Sequence, residues 1–102
     1  MAKILLIENA RYVADYFVQE LGQTHYLDVV SSAREIPGHP TRRWDIAFVD
    51  FELAGGPSGL TALTYLRDRV EHPVAFTAAG ESGRDLFNLA AHAWFDVKIV
   101  YD

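Results

Sequence analysis

Ile4 to Ile7 is an unbroken aliphatic run, partly β-branched, and predicts a strand covered on both faces. From Ala10 to Leu21 the period changes. Val13, Phe17 and Leu21 recur every fourth residue, with Ala10, Ala14 and Val18 alongside, while Arg11, Asp15, Gln19 and Glu20 face away. That spacing predicts an amphipathic helix, stopped by Gly22. Tyr26 to Val30 reads as a second short strand. Ser32 and Glu35 have capping-box spacing, but Pro37-Gly38-His39-Pro40 leaves room for only about a turn of helix. Asp45 to Val49 is a third strand. Leu60, Leu63, Leu66 and Val70 mark a helix running from near Ser58 to before Pro73. Val74 to Thr77 is a fourth strand, Ser82 and Asp85 suit the cap of a helix carrying Leu86, Leu89 and Ala90, and Phe95 to Val100 is a fifth strand.

Strict alternation of strand and helix with short connections implies an α/β fold, a doubly wound parallel sheet with helices on both faces. Ligands of such sheets lie beyond the carboxyl ends of the strands. Polar residues gather at that edge. Glu8 and Asn9 close the first strand, Asp50 the third and Thr77 the fourth, and Lys98 lies in the fifth.

Composition narrows the choice. A chain of 102 residues is read as a single domain, 1–102, and half its residues are hydrophobic, enough for a real core. No cysteine is present, which excludes a disulfide framework, a thiolate zinc site and cysteine-based catalysis. Net charge is −5 and the basic residues are scattered, so direct nucleic-acid binding is not expected. The apolar runs are too short to span a bilayer, and Met-Ala-Lys leads into a strand without a signal-peptide pattern. A soluble cytoplasmic protein is expected. His25, His39, His72 and His92 fall in no metal-ligand spacing.

Two carboxylates brought together repel and lose solvation unless a cation sits between them. Magnesium suits such a pair, because it takes oxygen ligands, keeps several waters and needs only one or two carboxylates. Asp50, followed by a glycine-containing loop, can then act as a nucleophile toward a phosphoryl group, giving an aspartyl phosphate. Lys98 can offset charge on the phosphoryl oxygens, and the Thr77 hydroxyl can hydrogen-bond one of them.

This constellation resembles the receiver domain of two-component response regulators, over essentially the whole chain. The acidic pair of that family corresponds to Glu8-Asn9, its phosphoacceptor to Asp50, its strand-four hydroxyl to Thr77 and its strand-five lysine to Lys98. DFELAGGPSGL, from Asp50, is similar to the family's D-x-x-L-P-G-x-x-G-L loop, with Ala54 for the proline and one extra residue before Gly59. PVAFTA, Pro73 to Ala78, is similar to its fourth strand. The resemblance implies a five-stranded sheet of order 2-1-3-4-5. It also implies phosphoryl transfer from a histidine kinase or phosphotransfer protein, and Mg2+ held by Asp50, Asn9 and the Glu52 backbone carbonyl, with Glu8 further out. Phe95 falls at the position of the switch aromatic. No turnover of a separate substrate is implied, only self-dephosphorylation.

The departures matter as much. Asn9 replaces an acid and brings no charge, so Mg2+ should bind weakly. Ile99 replaces the proline that usually follows the lysine. The family's last helix has no counterpart, which leaves strand five and the helix before it, with Trp94, Phe95 and Tyr101, as a contact surface for a second copy or a partner chain. A receiver-like module that works by protein contact, without phosphorylation, is therefore the alternative. A Mg2+-dependent phosphatase using Asp50 and Glu52 is the rival from another class, short of room for a substrate cap. Plainer roles also stand: Asp50 as a loop-opening acid, Glu8-Asn9 as helix caps, Thr77 as a strand residue, Lys98 as an edge-strand lysine, Phe95 as packing, and Gly55, Gly56 and Gly59 as turn residues.

Overall fold

The computed structural model of the chain describes residues 1–50, 59–78 and 96–100, and side chains within 1–50 and 61–74. Strands β1 (Lys3–Ile7), β2 (Tyr26–Val30), β3 (Trp44–Asp50), β4 (Val70–Ala78) and β5 (Asp96–Val100) alternate with helices α1 (Arg11–Leu21) and α2 (Gly59–Leu66). The strands lie in the order β2-β1-β3-β4-β5 and every pair is parallel. The expected α/β class and the order 2-1-3-4 are what the chain adopts, with β5 paired to β4 through Val74↔Asp96 to Ala78↔Val100.

The pleat sends alternate residues to opposite faces. Leu5, Ile7, Ala47 and Val49 face one way and pack with Ala62, Leu63 and Leu66 of α2 and with Ala33 and Ile36 of the β2–β3 connection. Ile4 and Leu6, also buried, belong to the opposite row. There Phe48, the register partner of Leu6, meets Phe17 of α1, ring centroids 5.5 Å apart. The two helices thus cover opposite faces, which is why β1 is hydrophobic at every position from Ile4 to Ile7. The coverage is unequal. α2 buries Ala62, Leu63 and Leu66, whereas α1 has no buried residue, and Val18, placed by its spacing with the apolar face, is 47% exposed. Val13, Ala14, Phe17 and Leu21 form the half-buried stripe that meets the sheet.

The largest shift from the expected boundaries lies between α2 and β4. Val70 opens β4 instead of closing the preceding helix. After Leu66 the chain turns, with the Arg69 N–H donating to the Leu66 carbonyl, and the Trp44 N–H then takes the Arg69 carbonyl at 2.8 Å, which starts the β3–β4 ladder at Trp44↔Val70. Pro73 consequently lies inside a strand. It stands in register with Ala47 of β3. Ser32 and Glu35 do form a capping box, and it serves a single 3-10 turn, Ala33–Glu35. The helix expected around Leu86 and Leu89, with its Ser82 and Asp85 cap, lies outside the described residues.

At the amino-terminal edge of the sheet a half-buried knot around Trp44 fixes the irregular connection before β3. The Trp44 indole N–H donates to Asp28 Oδ2 at 2.8 Å, and the Thr41 hydroxyl donates to the same oxygen at 2.9 Å. The Arg69 guanidinium lies 5.1 Å from the Trp44 ring centroid and donates to the carbonyls of Ile36, His39, Thr41 and Arg42. Its planar fork of five donors suits this role. A loop has no ladder to satisfy its carbonyls, and here one side chain supplies four of them with donors.

Candidate functional site: the carboxyl edge of the sheet

The β1–β3 register ends at Ile7↔Val49, so Glu8 and Asp50 are the next residues on neighbouring strands. Adjacent strands are about 4.8 Å apart. By the alternation of the pleat, both acids continue the rows Ile4–Leu6 and Ile46–Phe48 on the α1 side. Sequence positions 8 and 50 are thus brought together by the central strand pair itself, the most deeply packed part of the sheet.

Glu8 is 5% exposed, and it is the only buried polar or charged residue among those described. Its N–H extends the β1–β2 ladder by donating to the Val30 carbonyl at 3.0 Å. Its Oε1 accepts the Ala10 N–H at 2.9 Å. Oε2 has no hydrogen-bond partner among the described residues. Asn9 is exposed, and Asp50 is half-buried. The capping role expected as one option for Glu8-Asn9 falls differently: the N-cap of α1 is Ala10, without a side-chain cap, and Glu8 rather than Asn9 makes the side-chain bond there.

The register also locates the other two expected residues. A row crosses from Asp50 to Phe76 on β4 and on to Lys98 on β5, so Lys98 stands level with Asp50 and two strands away, about 10 Å between Cα atoms. Thr77 is one position nearer the carboxyl end than Phe76 and pairs with Ile99. Glu52, Trp94, Phe95 and Tyr101, expected as a metal ligand and as switch or contact residues, lie outside the described residues.

The donors present suit a hard cation better than a soft one. A buried carboxylate at the end of β1, with a second carboxylate at the end of the neighbouring strand and Asn9 next in sequence, offers the oxygen donors that Mg2+ takes. No group of three His, Cys, Asp or Glu side chains able to hold a metal gathers among the described residues, so such a cation would rely on water and backbone carbonyls for its remaining ligands.

Sequence reading missed the knot at the opposite edge. Nothing in the spacing of Asp28, Thr41, Trp44 and Arg69 announces it. Its one trace is the Pro37–Pro40 segment, a loop whose carbonyls need donors from elsewhere.

A doubly wound parallel sheet with two acids at the carboxyl ends of adjacent central strands defines a class, and comparison with solved structures agrees on the fold. The chain superposes on the receiver domain of a Francisella response regulator with a TM-score of 0.75 at 14% identity, covering 97% of this chain and 84% of that one. It matches a signal receiver domain from Vibrio parahaemolyticus (TM-score 0.69, 20% identity, 95% and 78% covered). It also matches the response regulator TrrA from Thermotoga maritima, determined in complex with Mg(2+)-BeF (TM-score 0.71, 20% identity, 96% and 87% covered). No protein-family model and no curated protein matches the sequence. The fold is that of response regulator receiver domains. No helix among the described residues is long and apolar enough to cross a membrane.

Proposed function

We propose that the chain is a two-component receiver domain that accepts a phosphoryl group on Asp50. The observation that carries this reading is the placement of Glu8 and Asp50 directly beyond Ile7↔Val49, in a receiver fold, with the Asp50 row leading to Lys98. In this reading β5 is the fifth strand of a receiver sheet and its lysine is the ammonium of the site.

An Asp50 carboxylate oxygen attacks the phosphorus of a phosphohistidine on a kinase or phosphotransfer protein. A P–O bond forms, the P–N bond breaks, and the imidazole nitrogen leaves with the electron pair. Lys98 offsets charge on the phosphoryl oxygens and Thr77 donates a hydrogen bond to one of them. Glu8, Asn9, Asp50 and the Glu52 carbonyl would hold Mg2+, which supplies charge neutralisation as the phosphoryl group transfers. Because Asn9 contributes an amide oxygen rather than a charge, the site holds the cation weakly. The domain turns over no substrate of its own beyond loss of its phosphoryl group, and it signals by contact with a partner chain in the cytoplasm.

One observation favours a second reading, a receiver-like contact module that is not phosphorylated: the position of the second acid is an exposed amide, Asn9. Incubation with a small phosphodonor and Mg2+, followed by intact-mass measurement, separates the two. A gain of one phosphoryl group in the wild type and none in Asp50→Asn supports the acceptor. No gain in either, with both folded, supports the contact module.

A further inference from the structure

β2 ends the strand order, so one of its sides pairs with β1 and the other meets no strand among the described residues. The Tyr26 N–H donates to the Ala2 carbonyl and the Val30 carbonyl accepts the Glu8 N–H, both at 3.0 Å, so the backbone groups of Tyr26, Asp28 and Val30 face β1. By alternation those of Leu27 and Val29 face outward. Proteins usually guard such an edge with lysine, proline or a bulge. β2 has no lysine, arginine or proline, and its five residues pair with β1 without interruption. Its one charge, Asp28, is half-buried and accepts the Trp44 indole N–H and the Thr41 hydroxyl. Apolar surface lies along this edge: Tyr26 is 49% exposed, Val29 41% and Val18 of α1 47%. Phe17 reaches Phe48 on β3, and helical spacing puts Val18 on the opposite flank of α1, over β2.

We propose that β2 pairs antiparallel with β2 of a second copy of this chain, across a twofold axis perpendicular to the sheet. The edge is complementary to itself. With Leu27 of one copy set against Val29 of the other, these residues exchange both their N–H and their C=O bonds, and the outward groups of both strands are satisfied. The same axis brings the two α1 helices side by side on one face of a continuous sheet, with Val18 and Val29 of both copies along the seam. That is why the occupant is a copy: a lone peptide strand added here satisfies the backbone but leaves Val18 uncovered, whereas a second copy brings its own α1 to that flank. The contact is isologous and closes at two. On the other face Asp28 stands opposite Asp28 of the second copy, a like-charge pair that tempers the affinity. A strand pair of this length is therefore a weak, reversible interface. It lies at the opposite edge from β5, and it depends on neither the phosphorylation nor the cation reading.

Sedimentation equilibrium over a range of protein concentrations, with amide hydrogen exchange read residue by residue, tests it. The expected result is a reversible dimer in the micromolar range. The amides of Leu27 and Val29 should be protected at high concentration and exchange roughly tenfold faster on dilution, while those of Tyr26, Asp28 and Val30 stay protected throughout. Val29→Lys, at a side chain already exposed, should keep the circular dichroism of the wild type and weaken the dimer by roughly tenfold or more, because an edge lysine opposes pairing. Tyr65→Lys, at an equally exposed position on α2, should leave the dimer unchanged. A chain that stays monomeric at every concentration overturns the proposal. So does a dimer in which Leu27 and Val29 exchange as they do on dilution, since the contact is then made elsewhere. A folded Val29→Lys that dimerises as tightly as the wild type overturns it as well.

Discussion

The two edges of this sheet are built on opposite principles. At the amino edge, Trp44 is 1% exposed, its indole N–H is bonded to Asp28, and Arg69 stacks on the ring while donating to four loop carbonyls. At the carboxyl edge, the strands end on two neighbouring acids, one of them buried with an oxygen unbonded, and the helix that follows has no buried residue. The first arrangement satisfies its polar groups and contributes stability. The second places two carboxylates on adjacent strand ends, an arrangement that costs stability to the extent that their charge is not offset. A fold can keep such an edge because the packing beneath it, Leu5, Ile7, Ala47 and Val49 against α2, does not depend on it.

The contrast can be broken first where it is strongest. Trp44→Ala should cost about 3–5 kcal/mol, seen as a large drop in denaturant midpoint. Next, Arg69→Met should cost about 2–3 kcal/mol, because it removes the donor to four carbonyls and the cation over Trp44. Arg69→Lys should recover less than half of that loss, since a point charge cannot reproduce the fork. At the other edge, Asp50→Asn should change stability by no more than about 1 kcal/mol while abolishing phosphoryl uptake. The smallest effect sharpens the comparison. Asn9→Asp should lower the cation-free melting temperature slightly and enlarge the rise on adding Mg2+, because a third acid adds repulsion and cation affinity together.

The sequence revealed these edges unequally. β1, β2 and α1 were legible because hydrophobic period and a stopping glycine lie within each segment. The acids were legible because strand ends can be counted. Val70 reads as helical because its spacing from Leu66 fits a helical period. The Trp44 N–H bond to the Arg69 carbonyl, a contact between residues 25 positions apart, decides the matter instead. The knot was illegible for the same reason. Asp28, Thr41, Trp44 and Arg69 come from four different segments, and only the folded chain puts a guanidinium where the Pro37–Pro40 loop lacks donors. Glu8 as the tie on α1 was also hidden, since Asn9 is the better cap by residue type and the structure places Ala10 at that position.

The most direct test follows both edges at once. Backbone amide resonances are recorded as Mg2+ and then a small phosphodonor are added. The account predicts shifts at Glu8, Asn9, Asp50, Thr77 and Lys98, absent in Asp50→Asn, with Trp44 and Arg69 unmoved. Shifts centred on the Trp44–Arg69 knot, or none at Glu8 and Asp50, would contradict it.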